Sequence, residues 1–154
     1  MKLSVVAVGR VRDSAYRTLC DDYQRRLERL CRFSLTETRE LRGRTPEQTP
    51  RLEAERLLPR LEGPGLNVAM DEGGRSLTSE GLAQWLEQLA SRGTRELRLV
   101  VGGAYGLDAA VRKRCSDSLS LSPMTLPHEL ARTVLLEQLY RAHTILARLP
   151  YHHR

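Results

Sequence analysis

Short apolar or alternating runs in this chain are separated by longer stretches whose apolar residues recur every three or four positions, and that alternation constrains the fold most. Leu3–Val8, Phe33–Glu37, Leu66–Met70 and Glu96–Val101 read as strands. Between the first two, Tyr16, Leu19, Tyr23, Leu27 and Leu30 form a helical stripe from Ser14 to about Arg32, with Asp13 or Ser14 able to cap it. Thr45-Pro46 opens a helix near Glu47–Leu61, which Gly63-Pro64-Gly65 ends. Asp71-Glu-Gly-Gly74 predicts a sharp turn after the third strand. Leu82, Trp85, Leu86 and Leu89 mark another helix, capped by Thr78 or Ser79. Asp108 caps a short helix, Ala109–Cys115; Leu119–Leu121 and Met124–Leu126 flank a turn, and Glu129–Leu149 forms the longest helix.

Strands alternating with helices predict an α/β fold, a parallel sheet with helices on both faces in three layers. A chain of 154 residues supports one such domain, residues 1–154, and no stretch reads as a linker. Ligands of such sheets bind beyond the carboxyl ends of the strands. No apolar run approaches the roughly 20 residues of a membrane span. Leu3–Val8 lacks the basic flank and cleavage site of a signal peptide, so the expectation is a cytoplasmic protein. Cys20, Cys31 and Cys115 form no close pair, which predicts neutral thiols and no metal site.

The formal net charge of +6 makes a polyanionic partner plausible. Only Lys2 and Lys113 are lysine among 25 basic residues, while Ile, Asn and Phe occur once each. That is the imprint of GC-rich codons, so the sign of the charge is informative and the choice of arginine is not. Aromatic residues at 5% offer no paired platform of the kind that RNA-binding strands carry.

Three segments carry candidate chemistry. Val100–Asp108 is a glycine-rich turn between a strand and a helix, where Gly102 and Gly103 allow the backbone to approach a ligand. It matches neither GxGxxG nor a Walker loop, so by itself it is equally a tight turn or a phosphate site. Leu119–His128 carries no charge over ten positions in a chain that is 29% charged, which predicts a buried loop. Its backbone can read an adenine edge while Leu121, Met124 and Leu126 pack on the ring. The third is the terminus, Leu149-Pro-Tyr-His-His-Arg154. Pro150 is expected to stop the last helix and send Tyr151 and His152 back towards His128.

The Met-Lys-Leu-x-x-Val-Ala-Val-Gly start, the Gly-Gly-x-x-Gly-Leu turn, Met124-Thr-Leu-Pro-His-Glu-Leu130, Glu137-Gln-Leu-Tyr-Arg-Ala142 and the Pro-Tyr-His end together resemble the ribosomal RNA large subunit methyltransferase H family. The resemblance runs from Met1 to Arg154; residues 1–9 and 97–154 carry most of it. It implies a SPOUT-class enzyme with a C-terminal trefoil knot, working as a homodimer. Such enzymes use S-adenosylmethionine to methylate N3 of a pseudouridine in helix 69 of 23S rRNA, on the assembled 70S ribosome.

The resemblance also implies a cofactor pocket of Met70, Gly102, Gly103, Leu121, Ser122, Pro123, Met124, Thr125 and Leu126. Around the methyl group and target base it implies Tyr140, Arg141, Tyr151, His152 and His128, with His152 favoured as base, Arg141 stabilising charge and Tyr151 stacking on the base. The tail reads Tyr-His-His-Arg where the family has Lys or Arg directly after Tyr-His. Arg25, Arg29, Arg39, Arg42 and Arg44 are candidates for RNA contact. Two other readings fit parts of the chain, a phosphate-binding α/β protein and an RNA-binding module without activity.

Overall fold

The computed structural model describes residues 1–41 and 43–153. Five parallel strands, β1 (Lys2–Val8), β2 (Phe33–Thr38), β3 (Leu66–Ser76), β4 (Glu96–Val101) and β5 (Asp117–Ser120), form one sheet in the order β2-β1-β4-β3-β5. Successive strand residues face opposite sides, and the two sides have separate cores. Leu3, Val5, Ala7, Val68, Leu97 and Leu99 pack with helices α1 (Ser14–Leu30), α3 (Ser79–Ser91) and α5 (His128–Leu146). Val6, Val8, Ala69 and Val100 meet α2 (Gln48–Leu57), the 3-10 turn Leu58–Leu61 and α4 (Ala109–Lys113). The three-layer arrangement is therefore present.

Local chemistry sets the helix starts. Asp13 Oδ1 accepts from the amides of Ala15 and Tyr16 at 2.9 and 3.2 Å, Thr78 caps α3 through Gly81 N, and Asp108 caps α4 through Ala110 N. Pro127 precedes α5 without a side-chain cap. There Glu129 accepts instead from the amides of Arg12 and Asp13, tying the loop after β1 to the first turn of α5. Buried Arg132 strengthens that tie: it donates to Glu37 Oε1 and to the carbonyls of Val8 and Gly9.

Two boundaries differ most from the sequence reading. Asp71–Gly74 is not a turn that ends β3; the strand continues to Ser76 through a bulge, and Arg75 and Ser76 pair with Leu119 and Ser120. Gly74 makes this possible, since a Cβ there would lie 2.7 Å from the Leu119 carbonyl carbon. The last helix ends at Leu146 rather than Leu149. Arg148 takes φ 55°, and its amide and that of Leu149 return to Ile145 O and Thr144 O, a Schellman closure.

The three cysteines are free, and burial pushes each thiol up. Among the described residues no helix is long and apolar enough to cross a membrane, and no group of three His, Cys, Asp or Glu is placed to hold a metal ion.

Candidate active site

A cavity of about 510 Å³ opens beyond the carboxyl ends of β4 and β5, beside the bulge in β3. Its walls are Met70–Glu72, the Val101–Gly106 turn, Leu119–Ser122, Met124–Leu126, Arg112, His128 and Ala131. The glycine turn and the uncharged loop thus meet across one space, with Met70 from the neighbouring strand. Gly102 is required by close approach, because a Cβ would sit 2.7 Å from the Gly106 carbonyl group. Met70, Gly102, Gly103, Leu121, Ser122, Met124, Thr125 and Leu126 all stand in the wall; Pro123 lies among them in the chain but is not part of it.

The uncharged loop is not buried as expected. Pro123, Met124, Thr125 and Pro127 are exposed, Met124 to 74%. Its lack of charge goes with Leu121 and Leu126 lining the cavity while the rest arches over the mouth.

Sequence reasoning passed over Asp71 and Glu72. Asp71 pairs with Arg112 and accepts from Gly73 N, while Glu72 accepts from Thr125 Oγ1 at 3.3 Å. Both directly follow Met70 at the mouth of the sheet, a position that reading 71–74 as a turn concealed. These carboxylates decide what the cavity suits. Among the described residues Arg112 is the one arginine or lysine in the wall, and Asp71 engages it. An apolar, hydrogen-bonding cavity with two acids fits a nucleoside bearing hydroxyls and positive charge better than a polyphosphate.

A second cluster lies along α5. Arg141 donates to Glu137 Oε1 through Nε and Nη2 at 3.0 and 2.5 Å, and its guanidinium stands 4.8 Å from the centre of the Tyr151 ring. Tyr151 donates to Glu137 at 3.1 Å, meets Tyr140 edge-on at 4.8 Å and lies 3.3 Å from the Tyr23 hydroxyl. His152 bridges Glu80 Oε1, 2.9 Å from Nε2, and Arg141 Nη1, 3.4 Å from Nδ1. The Nε2–H tautomer satisfies both contacts. Glu137 pushes the Arg141 guanidinium up, so it stays charged. Burial, with the Tyr23 and Glu137 hydrogen bonds, raises Tyr151 far above its usual range and keeps its hydroxyl protonated.

The tail therefore does not return to His128. Tyr151 and His152 fold against the middle of α5 and the start of α3. With a rise of 1.5 Å per residue, Glu137 and Arg141 lie about 14 and 20 Å along the axis from His128. The reason is the Schellman closure, which reverses the chain early enough for Tyr151 to enter the cleft between Tyr23 and Tyr140. Of the arginines read as RNA contacts, Arg39 and Arg44 border a separate cleft, Arg25 and Arg29 are exposed on α1, and Arg42 lies outside the described residues.

A family model described as "Predicted SPOUT methyltransferase" matches residues 1–152. Ribosomal RNA large subunit methyltransferase H of Gloeobacter violaceus is 43% identical over 153 residues, covering 99% of both chains. The protein of that name from Bordetella petrii is 44% identical over 155 residues, again covering 99% of each. Among solved structures, a "probable methylase family protein" from Haemophilus influenzae has a TM-score of 0.54 at 12% identity, covering 99% of this chain and 70% of that one. A Legionella pneumophila methyltransferase solved with bound SAM has a TM-score of 0.50 at 11% identity, covering 90% and 65%. At such identities these two speak for the fold.

Proposed function

This chain belongs to the SPOUT methyltransferases, within the ribosomal RNA large subunit methyltransferase H family, and from that premise we propose that it uses S-adenosylmethionine to methylate N3 of a pseudouridine in helix 69 of 23S rRNA, as a homodimer acting on the 70S ribosome. The observation that carries the cofactor reading is the cavity in which the glycine turn, Met70 and the Leu121–Leu126 loop converge beside two carboxylates. Met70, Leu121 and Leu126 would hold the adenine ring, with backbone groups of Gly102, Gly103, Ser122, Met124 and Thr125 around its polar edge. Asp71 or Glu72 would accept from ribose hydroxyls or from the amino group. The trefoil knot implied by the family resemblance is part of the same proposal.

When bound, S-adenosylmethionine supplies a methyl group already activated by its sulfonium. The protein must then align the base and remove one proton, because a protonated imide nitrogen is a poor nucleophile. His152, whose Nδ1 carries no proton in the Nε2–H tautomer, would take the N3 proton as N3 receives the methyl group. Permanently charged Arg141 stabilises the negative charge that grows on the flanking carbonyl oxygens. Tyr151, held as a neutral phenol, would stack on the base, and His128, in the cavity wall, would stand on the side from which the methyl is supplied. The distance along α5 supports a site shared by two protomers, in which the Tyr151–His152 cluster of one serves the cavity of the other.

Isothermal titration against S-adenosylmethionine, ATP and NAD tests the pocket, with binding expected for the first alone. Mass spectrometry of rRNA nucleosides from a deletion strain, with and without the gene restored, tests the substrate; unchanged N3-methylpseudouridine would remove it. Purified 70S ribosomes and free 23S rRNA as alternative substrates separate the two acceptors. If His152→Ala leaves the methylation rate unchanged while RNA still binds, the role of His152 is lost.

A further inference from the structure

A cleft of about 1490 Å³ lies beside the carboxyl ends of β1 and β2, apart from the cavity just described. Arg10, Arg12, Arg17, Arg39, Arg44 and Arg56 line it, against the carboxylates Asp21, Glu37 and Glu40. Part of this charge is committed. Arg12 pairs with Glu40, Arg17 donates to the carbonyls of Val11 and Arg12, and Arg56 donates to Arg39 O. Glu37 is already matched by buried Arg132 from outside the cleft, so it does little to cancel the rest. Arg10 is 88% exposed and only 3.9 Å from Glu37, while the exposed side chains of Arg39 and Arg44 have no ion-pair partner among the described residues.

We infer that this cleft is the track for the RNA phosphate backbone, with Arg39 and Arg44 as its principal contacts. The inference rests on the methyltransferase reading for its choice of RNA. Guanidinium forks match phosphate oxygens in pairs, and a concave basic surface concentrates the field along a strand. Its apolar lining is modest: Val11 and Cys20 are buried and Leu35 and Leu41 half-buried, so among the described residues the cleft has no fully exposed apolar anchor for a protein partner. Position supplies the rest. The loop carrying Arg10 and Arg12 is bound through the amides of Arg12 and Asp13 to Glu129, and the neighbouring His128 stands in the wall of the cofactor cavity. A backbone held in the cleft would pass beside the mouth of that cavity.

The test is a double variant, Arg39→Gln with Arg44→Gln, compared with Arg92→Gln at the exposed carboxyl end of α3, outside the cleft. Affinity for an RNA stem-loop is measured over a salt series, alongside methylation kinetics and titration with S-adenosylmethionine. Loss of two phosphate contacts lowers the slope of log K against log salt by about 1 to 2. KM for RNA should rise about tenfold, with kcat, cofactor affinity and the Arg92→Gln control unchanged. A salt slope equal to that of the wild type overturns the inference. So does an unchanged slope accompanied by dissociation in sedimentation, which would make the cleft a seat for a second copy of this chain. If the wild-type protein binds the stem-loop but methylates neither 70S ribosomes nor free 23S rRNA, the proposed function fails, and the slope comparison still decides the cleft.

Discussion

Arg148 is the only non-glycine residue with positive φ among the described residues, and it closes α5 in a conformation that costs an L side chain about 1 kcal/mol. Arg148→Gly keeps the closure and relieves that strain, so the urea midpoint should rise by the equivalent of about 0.5–1 kcal/mol. A lower midpoint would mean that the arginine side chain matters more than its backbone. Gly102 is the opposite case. Any side chain there meets the Gly106 carbonyl at 2.7 Å, so Gly102→Val should abolish S-adenosylmethionine binding in titration while changing far-UV circular dichroism little. Tyr151 gains from three neighbours at once: an aromatic edge, a guanidinium over its face and a carboxylate at its hydroxyl.

At the scale of elements, α5 is the post to which the β1–β2 side of the sheet is tied. Arg132, 1% exposed, reaches from it to Glu37 on β2 and to the carbonyls closing β1. Burial lowers its pKa and Glu37 opposes that, so removing the guanidinium leaves a partly buried carboxylate and two carbonyls without their donor. Arg132→Ala should lose about 3–5 kcal/mol in denaturant unfolding. The β3–β5 edge carries a weaker contact, Arg75 with Asp117 at 2.7 Å. The Arg75 hydrogen bond holds the Asp117 carboxyl below its ordinary value, so its contribution is complete above about pH 4 and fades as pH falls further. Because the pair is partly exposed, Asp117→Asn should cost only about 0.5 kcal/mol at pH 7, and the two proteins should converge in urea midpoint below about pH 4.

These elements also show what was legible in the sequence. Leu3–Val8 and Glu96–Val101 were readable because alternation and apolar runs report burial directly. The second half of β3 was not, since Asp71-Glu-Gly-Gly74 is turn chemistry and only the partner strand β5 makes it extended. The glycine turn and the uncharged loop were readable as parts of the cavity wall, but Asp71, Glu72 and Arg112 were not, because turn chemistry at 71–74 concealed where the two acids stand. The resting place of Tyr151 and His152 was not, because it depends on Tyr23 and Glu80, far away in sequence.

For the whole molecule, the distance between cavity and tail leads to a complementation experiment. A Gly102→Val chain has an intact tail, and a His152→Ala chain an intact cavity. On the proposed two-protomer site, each variant alone should be inactive, yet a coexpressed mixed dimer should recover about half the activity of the wild type, since one shared site is complete. No recovery would mean that each protomer works alone. Strand order has a different consequence. Lys2–Ala7 of β1 pairs with Glu96–Val101 of β4, which the ribosome makes only after more than half the chain. Until then β1 offers one open edge flanked by Val5, Val6 and Val8, a template for pairing with other nascent chains. Fragments ending before residue 96 should therefore precipitate during synthesis, and the full chain should depend on a holding chaperone until β4 arrives.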